Sequence, residues 1–133
     1  MSAEVRAILS IGVITVPEQV ERHALLRATW LRTPWVGDGG PVTAHFFAGG
    51  RRVRLWLDMQ LNTEHAQHAD ILRVPVPWDE SRLRGPVLAL AAFITHAAQT
   101  MRARYIAKVD DDSYVHVAGL EYLMRRVRRC QVA

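Results

Sequence analysis

Cysteine is almost missing from this sequence, since Cys130 is the only one in 133 residues. A single cysteine cannot form an internal disulfide, and it excludes metal sites built from several cysteines. Long apolar runs are missing too: the longest, AILSIGVITV, is far shorter than the roughly 18 to 20 residues of a membrane span. We therefore interpret this run as a buried strand. Any membrane anchor of the natural protein is expected outside this chain.

Internal repeats, low-complexity segments and a clear domain boundary are also absent. Half of the residues are hydrophobic, so a chain of this length predicts one globular domain with a sizeable core. The formal net charge of +4 favours anionic partners such as nucleotides, nucleic acid or a membrane surface. A basic, solvated surface with no such partner is an equally good explanation of the charge.

Strand and helix patterns alternate along the chain. The predicted strands cover Val5 to Ile14, VTAHFF, ADILRVPV and YIAKV, and a helical pattern follows each of them. Thr15 and Glu18 stand in capping-box spacing, which predicts that the first helix begins there. Crossovers of this length are typical of parallel strand pairing. The sequence therefore predicts an α/β fold with a Rossmann-like, mostly parallel sheet flanked by helices.

The helical patterns also predict which side chains are buried. The second helix is predicted from Val53 to about His65, with Trp56 in the core. The stretch from Pro86 to Met101 is apolar on nearly every side, so this third helix is expected to be buried. The predicted apolar face of the first helix consists of Val20, Ala24, Leu25, Leu26, Arg27, Trp30 and Leu31.

The strand YIAKV runs directly into three adjacent carboxylates, Asp110, Asp111 and Asp112. Their mutual repulsion is tolerated where a cation, a buried role or solvation offsets it. In an extended segment Asp110 and Asp112 point one way and Asp111 the other. Two converging carboxylates at the carboxyl end of a strand suit a hard divalent cation such as Mg²⁺ or Mn²⁺. A solvated turn or an acceptor-rich helix start is the alternative explanation.

Histidine and tryptophan supply further candidates for a site. His65 and His68 could share a helix face as a metal-binding pair, although surface placement explains them more simply. His116 lies near the acidic triplet and could complete a site there. Trp35 and Trp78 fall in predicted loops, where they could stack on a base or a sugar.

Four segments form a larger pattern. They are LLRATW with Arg27, Thr29 and Trp30, then HFFAGG, then Glu64 followed by DIL at Asp70 to Leu72, and finally KVDDDSYVHV starting at Lys108. In type and order they resemble the motifs of the β-1,3-galactosyltransferases, glycosyltransferase family 31. The resemblance extends over most of the chain.

This resemblance implies a GT-A fold in which residues 1–133 form a single, truncated nucleotide-sugar-binding domain. It implies an inverting hexosyl transfer from a UDP-sugar donor to a glycan or glycoconjugate acceptor, assisted by Mn²⁺ or Mg²⁺. It also implies the lumenal side of the Golgi membrane and no nucleic-acid partner.

The resemblance further implies roles for individual residues. Asp112 would be the principal metal ligand, Asp110 would assist through the ribose or a metal-bound water, and Asp111 would support both. Arg27 would help to hold the nucleotide, and a structural role on its helix is an equally good explanation. Thr29 and Trp30 are expected to be packing residues.

The sequence also departs from the family pattern. RLRGPVLAL lacks a lysine expected before the long helix, and the Glu-Asp pair that would accompany the general base does not occur. An inverting transfer needs a base for the acceptor hydroxyl, so we expect that base outside this chain. Two alternatives follow: an incomplete fragment that only binds UDP-sugar, or a basic α/β module that binds nucleic acid through RRVRR and GGRRVR.

Overall fold

The computed structural model describes residues 7–37, 39–51, 55–77 and 84–130. Strands and helices alternate through this part of the chain, which confirms the predicted α/β class. Val5, Val53 and Trp78 lie outside the described residues. The elements are β1 (Ala7–Ile14), α1 (Val20–Ala28), a 3-10 helix (Trp30–Arg32), β2 (Val42–Arg51), α2 (Leu55–His68), β3 (Ile71–Pro77), α3 (Arg84–Thr100), β4 (Ala103–Asp110) and α4 (Val117–Cys130).

The four strands form one parallel sheet in the order β3-β2-β1-β4. Strand β1 is therefore central, and β4 pairs with it along its whole length. The two strands end together, because Ile14 is the register partner of Asp110. Thr15, the residue after β1, thus comes out of the sheet beside the acidic triplet.

Each face of the sheet has its own apolar core. On one face, β1 and β2 pack against α1, the 3-10 helix, α2 and the start of α4. On the other face, α3 covers the sheet, and Phe93 stacks on Phe47 with 4.6 Å between ring centroids. A Cβ atom on Gly12 would lie 2.3 Å from the nearest ring atom of Phe93. Glycine at this position therefore allows α3 to approach β1 closely.

Helix α1 begins later than the sequence indicates. It starts at Val20 with Gln19 as its N-cap residue, and no side-chain hydrogen bond caps it. The predicted start at the Thr15 and Glu18 capping box is therefore wrong. The Thr15 hydroxyl is 2.7 to 2.8 Å from polar atoms of His23 and of the acidic triplet, so it is engaged elsewhere.

The buried face of α1 also differs from the predicted one. Its buried residues are His23 and Leu26, and Trp30 of the following 3-10 helix continues the same face. Leu25 and Ala24 are exposed, which contradicts their predicted placement. A hydropathy pattern ranks histidine as polar, so it cannot recognise a face that histidine occupies.

Helix α2 turns a different side to the sheet than its apolar residues suggest. Leu57, Leu61 and Glu64 are buried, spaced by about one helical turn. Trp56 is 57% exposed, so its predicted place in the core is wrong. Glu64 is buried instead, and a buried carboxylate needs a hydrogen-bond or ion-pair partner to offset the cost of its desolvation.

Helix α3 buries only one side. Ala89, Phe93 and Ala97 face the sheet, whereas Val87 and Ile94 are exposed. The expectation that this helix is buried all round is thus wrong, since within the described residues the sheet covers it from one direction. No helix of the described residues is long and apolar enough to cross a membrane.

Candidate functional site

The acidic triplet lies where the chain leaves the sheet. Strand β4 ends at Asp110, and Asp111 and Asp112 form a turn in which the Ser113 N–H donates to the Asp110 carbonyl over 3.2 Å. The chain then reaches α4, whose first residue, Val117, is buried in the core. The turn is therefore anchored on both sides.

Asp111 is the inward member of the triplet. Its side chain is only 11% exposed, and each of its oxygens has a partner. The Thr15 hydroxyl donates to Oδ2 over 2.8 Å, and Arg22 Nη1 donates to Oδ1 over 2.9 Å. Asp111 thus ties the turn to the segment that follows β1.

The other two carboxylates face outward. The side chain of Asp110 is 56% exposed and pairs with Lys108, two residues earlier on the same strand. Asp112 is exposed, and its carboxylate has no hydrogen bond or ion pair with any other described residue. Two carboxylates therefore remain accessible at the carboxyl end of β4.

A magnesium or manganese ion at these carboxylates stays a prediction, and it depends on how many ligands such an ion takes from protein. Within the described ranges, no three His, Cys, Asp or Glu side chains are gathered as a metal cage. Mg²⁺ commonly takes only one or two carboxylates and obtains its other ligands from water and substrate phosphates. Asp110 and Asp112 could supply that pair, and their role as ligands stays a prediction.

Trp30 fixes the far side of the same turn. It is fully buried, which confirms its predicted packing role, and its indole Nε1–H donates to the Ser113 carbonyl over 3.2 Å. Thr29 is exposed and donates only to carbonyls of the preceding helical turn, so it is not the packing residue expected. Trp35 is exposed in the loop before β2, where stacking on a ligand stays a prediction.

A buried polar chain extends from Thr15 away from the turn. His23 Nε2 lies 2.7 Å from Thr15 Oγ1, and His23 Nδ1 lies 2.8 Å from Glu64 Oε1. His23 is fully buried and Glu64 nearly so. The glutamate on the buried face of α2 therefore finds its partner on α1.

Arg27 continues this chain. Its Nη1 donates to Glu64 Oε1, and its Nε and Nη2 donate to the two oxygens of Asp70, over 2.7 to 2.8 Å. Burial alone would lower the pKa of Arg27, but the hydrogen bonds to Asp70 and Glu64 outweigh it and raise that pKa. All three donor nitrogens face protein carboxylates, which supports the structural role. Nucleotide binding by Arg27 stays a prediction.

Two of the three histidines considered as ligands accept a local backbone hydrogen bond. His116 Nδ1 accepts the Gly119 N–H over 3.0 Å, so it caps the start of α4. Any metal contact of His116 would therefore have to use Nε2. His65 Nδ1 accepts the Ile71 N–H over 3.2 Å, and His68 is exposed at the end of α2.

Sequence reasoning missed the contributions of Arg22 and His23. A usable signal was present, because His23 precedes the apolar Leu26 by three positions and so shares its helix face. Likewise Glu64 follows Leu61 by three positions. Two ionisable residues on two predicted core faces indicate a buried pair.

Comparison with known proteins gives the site a context. The sequence profile described as Galactosyltransferase matches residues 21–131, which is most of the chain. This chain belongs to the galactosyltransferase family. The matched part contains Arg27, Trp30, Glu64, Asp70 and the acidic triplet, whereas Thr15 lies before it.

Two relatives show how similar this chain is to known galactosyltransferases and how much of each protein is matched. The chain is 31% identical over 116 residues to Beta-1,3-galactosyltransferase 6 of Mus musculus, covering 86% of this chain and 35% of the mouse protein. It is 29% identical over 109 residues to Beta-1,3-galactosyltransferase GALT1 of Arabidopsis thaliana, covering 82% of this chain and 16% of the plant protein. Each match thus covers most of this chain but well under half of the relative.

Proposed function

We propose that this chain binds the UDP-sugar donor for a hexosyl transfer of the β-1,3-galactosyltransferase type. One observation carries the proposal beyond family membership. Asp111 is held inward by Thr15 and Arg22, whereas Asp110 and Asp112 remain exposed where β4 ends. Ligands of open α/β sheets bind beyond the carboxyl ends of the strands, which is where these two carboxylates lie.

The residues of the turn would divide the work. Asp112, assisted by Asp110, would hold Mn²⁺ or Mg²⁺, and a bound ion would offset the charge that develops on the leaving diphosphate. Asp111 would keep the turn in its folded conformation, so that less ordering is needed when the donor binds. Lys108 offsets the charge of Asp110 in the structure described here.

The rest of the reaction is proposed from the family alone. The acceptor would be a glycan or glycoconjugate, and the protein would work on the lumenal side of the Golgi membrane. Donor binding is the part of the reaction proposed for residues 1–133, and an inverting transfer further requires a base for the acceptor hydroxyl.

Calorimetric titration of UDP into the full chain, with and without Mn²⁺, tests the proposal. We expect binding that requires Mn²⁺ and is lost in Asp112→Asn, because that variant removes one charged ligand. Asp58→Asn is the control for net charge, because it removes one negative charge as Asp112→Asn does. Asp58 lies on α2, away from the acidic triplet, and pairs with Arg73. The proposal fails if the folded chain does not bind UDP with Mn²⁺, or if both variants bind it as the unmodified chain does.

A sugar-transfer assay and an oligonucleotide titration separate the alternative functions. A fragment that only binds donor would bind UDP with Mn²⁺ and transfer no sugar to any acceptor. A nucleic-acid module would instead bind an oligonucleotide with an affinity that falls steeply with salt and does not depend on Mn²⁺.

A further inference from the structure

The polar chain through Thr15 continues past Asp111 to Arg22, whose side chain is 46% exposed. Neighbouring groups along it are 2.7 to 2.9 Å apart. Its members, in order, are Arg22, Asp111, Thr15, His23, Glu64, Arg27 and Asp70. Two arginines face three carboxylates, so a neutral His23 would leave one negative charge in excess, and a positive His23 balances three charges against three.

Hydrogen-bond directions give the same answer. The Thr15 hydroxyl has one hydrogen, which it donates to Asp111 Oδ2. Thr15 Oγ1 can therefore only accept at its 2.7 Å contact, so His23 Nε2 must donate. Glu64 Oε1 already accepts from Arg27, and a carboxylate has no hydrogen of its own, so His23 Nδ1 must donate too.

The reverse arrangement places the extra proton on Asp111. Asp111 would then donate to Thr15, and Thr15 would donate to a neutral His23. The ion pairs oppose it: a neutral Asp111 would leave Arg22 without a charged partner, although Arg22 Nη1 lies 2.9 Å from Asp111 Oδ1. His23 Nδ1 in turn lies 2.8 Å from Glu64 Oε1.

We propose that His23 is a buried imidazolium that positions the acidic turn by holding Thr15 in the orientation that binds Asp111. The proton count depends only on this hydrogen-bonded chain. The consequence for donor affinity rests on the proposed function, because it assumes that Asp110 and Asp112 meet the donor through a bound ion.

Nitrogen-15 NMR of the histidine rings in the labelled full chain tests the proton count directly. We expect both ring nitrogens of His23 to give the signals of protonated nitrogens at neutral pH. In Thr15→Val, Nε2 loses its acceptor, and we expect it to lose its proton as well. The inference is overturned if His23 in the unmodified chain has one nitrogen without a proton.

UDP titration with Mn²⁺ tests the positioning role on the same variants. Thr15→Val keeps the side-chain shape but not the hydroxyl, so we expect its affinity for UDP to fall about tenfold, as for a lost hydrogen bond to a charged group. Thr15→Ser restores the hydroxyl, and we expect its affinity within about twofold of the unmodified chain. Equal affinity of the valine and serine variants would overturn the positioning role.

The two measurements fail in different ways. If the unmodified chain does not bind UDP, the proposed function falls, and the NMR spectrum still decides whether His23 is a cation. If Thr15→Val does not fold, the spectrum of the unmodified chain decides the proton count, and Thr15→Ser must then bind UDP normally. Weak binding by a folded serine variant would contradict the role given to the hydroxyl.

Discussion

The two faces of the sheet are covered in different ways. On the α3 face the contacts are apolar, centred on Phe47 and Phe93, and they pass Gly12 at close range. On the opposite face an apolar core of similar residues surrounds a line of buried charges that includes His23 and Glu64. The apolar core on the α3 face has no ionisable member, whereas the core on the α1 face encloses His23 and Glu64.

This difference indicates that the charges are not needed to cover a sheet. Burying ion pairs costs desolvation, and well-packed apolar side chains are often at least as stabilising. The charged line reaches Asp111, in the turn whose other two carboxylates are exposed. We infer that the α3 face contributes mainly stability, and that the α1 face also fixes the conformation of the candidate site.

The largest expected effect comes from the α3 face. Phe93→Ala removes a fully buried ring and should lower the free energy of unfolding by about 4 kcal/mol, measured by urea denaturation. Ile94→Ala is the matched control, because Ile94 lies next to it on the helix and is exposed. We expect the control to change stability little.

If the α3 face contributes stability only, folded variants on that face should still bind the donor. If Phe93→Ala is too unstable to study, Phe93→Leu removes less volume and should cost about 1 to 2 kcal/mol. Its affinity for UDP with Mn²⁺ should equal that of the unmodified chain. A folded leucine variant with strongly reduced affinity would show that the two faces are not separate in function.

A smaller effect is expected from the charged line. Arg27→Met removes three donor nitrogens and leaves the buried Glu64 and the partly buried Asp70 without the arginine, which should cost about 3 kcal/mol in urea denaturation. Arg27→Lys keeps the charge but not the forked geometry, so a loss of about 2 kcal/mol is expected.

The lysine variant also tests the predicted nucleotide role of Arg27. If that arginine serves only the ion pairs, Arg27→Lys should bind UDP within about twofold of the unmodified chain, because lysine can still pair with Glu64. A loss of affinity well beyond this, in a folded protein, would favour direct nucleotide binding.

The order of elements could be predicted from the sequence because strand and helix periods are local. Strand β1 ends at Ile14 and α2 includes most of its predicted span. The exposed position of Trp56 could not be predicted, because it depends on which side of α2 faces the sheet. Hydropathy predicts that the Trp56 side of α2 is buried. In the structure α2 instead buries the side with Glu64, which pairs with His23 and Arg27 of α1.

The acidic triplet could be found from the sequence, but the partners that hold Asp111 inward could not. Alternation along a strand separates Asp111 from its neighbours, yet says nothing of what it would meet. Its partners Thr15 and Arg22 lie about ninety positions earlier and come near only because β1 and β4 are adjacent and end together. Such contacts follow from the order of strands, which local patterns do not contain.

The smallest predicted effect sharpens the comparison most. Trp30→Phe retains an aromatic ring in the core and removes the hydrogen bond to the Ser113 carbonyl, so stability should fall by about 1 to 2 kcal/mol. Phe93→Leu should lose a similar amount on the other face. We expect UDP affinity with Mn²⁺ to fall about threefold in the tryptophan variant only, because only that variant releases the acidic turn. Equal affinities would mean that Trp30 stabilises the fold without holding the site.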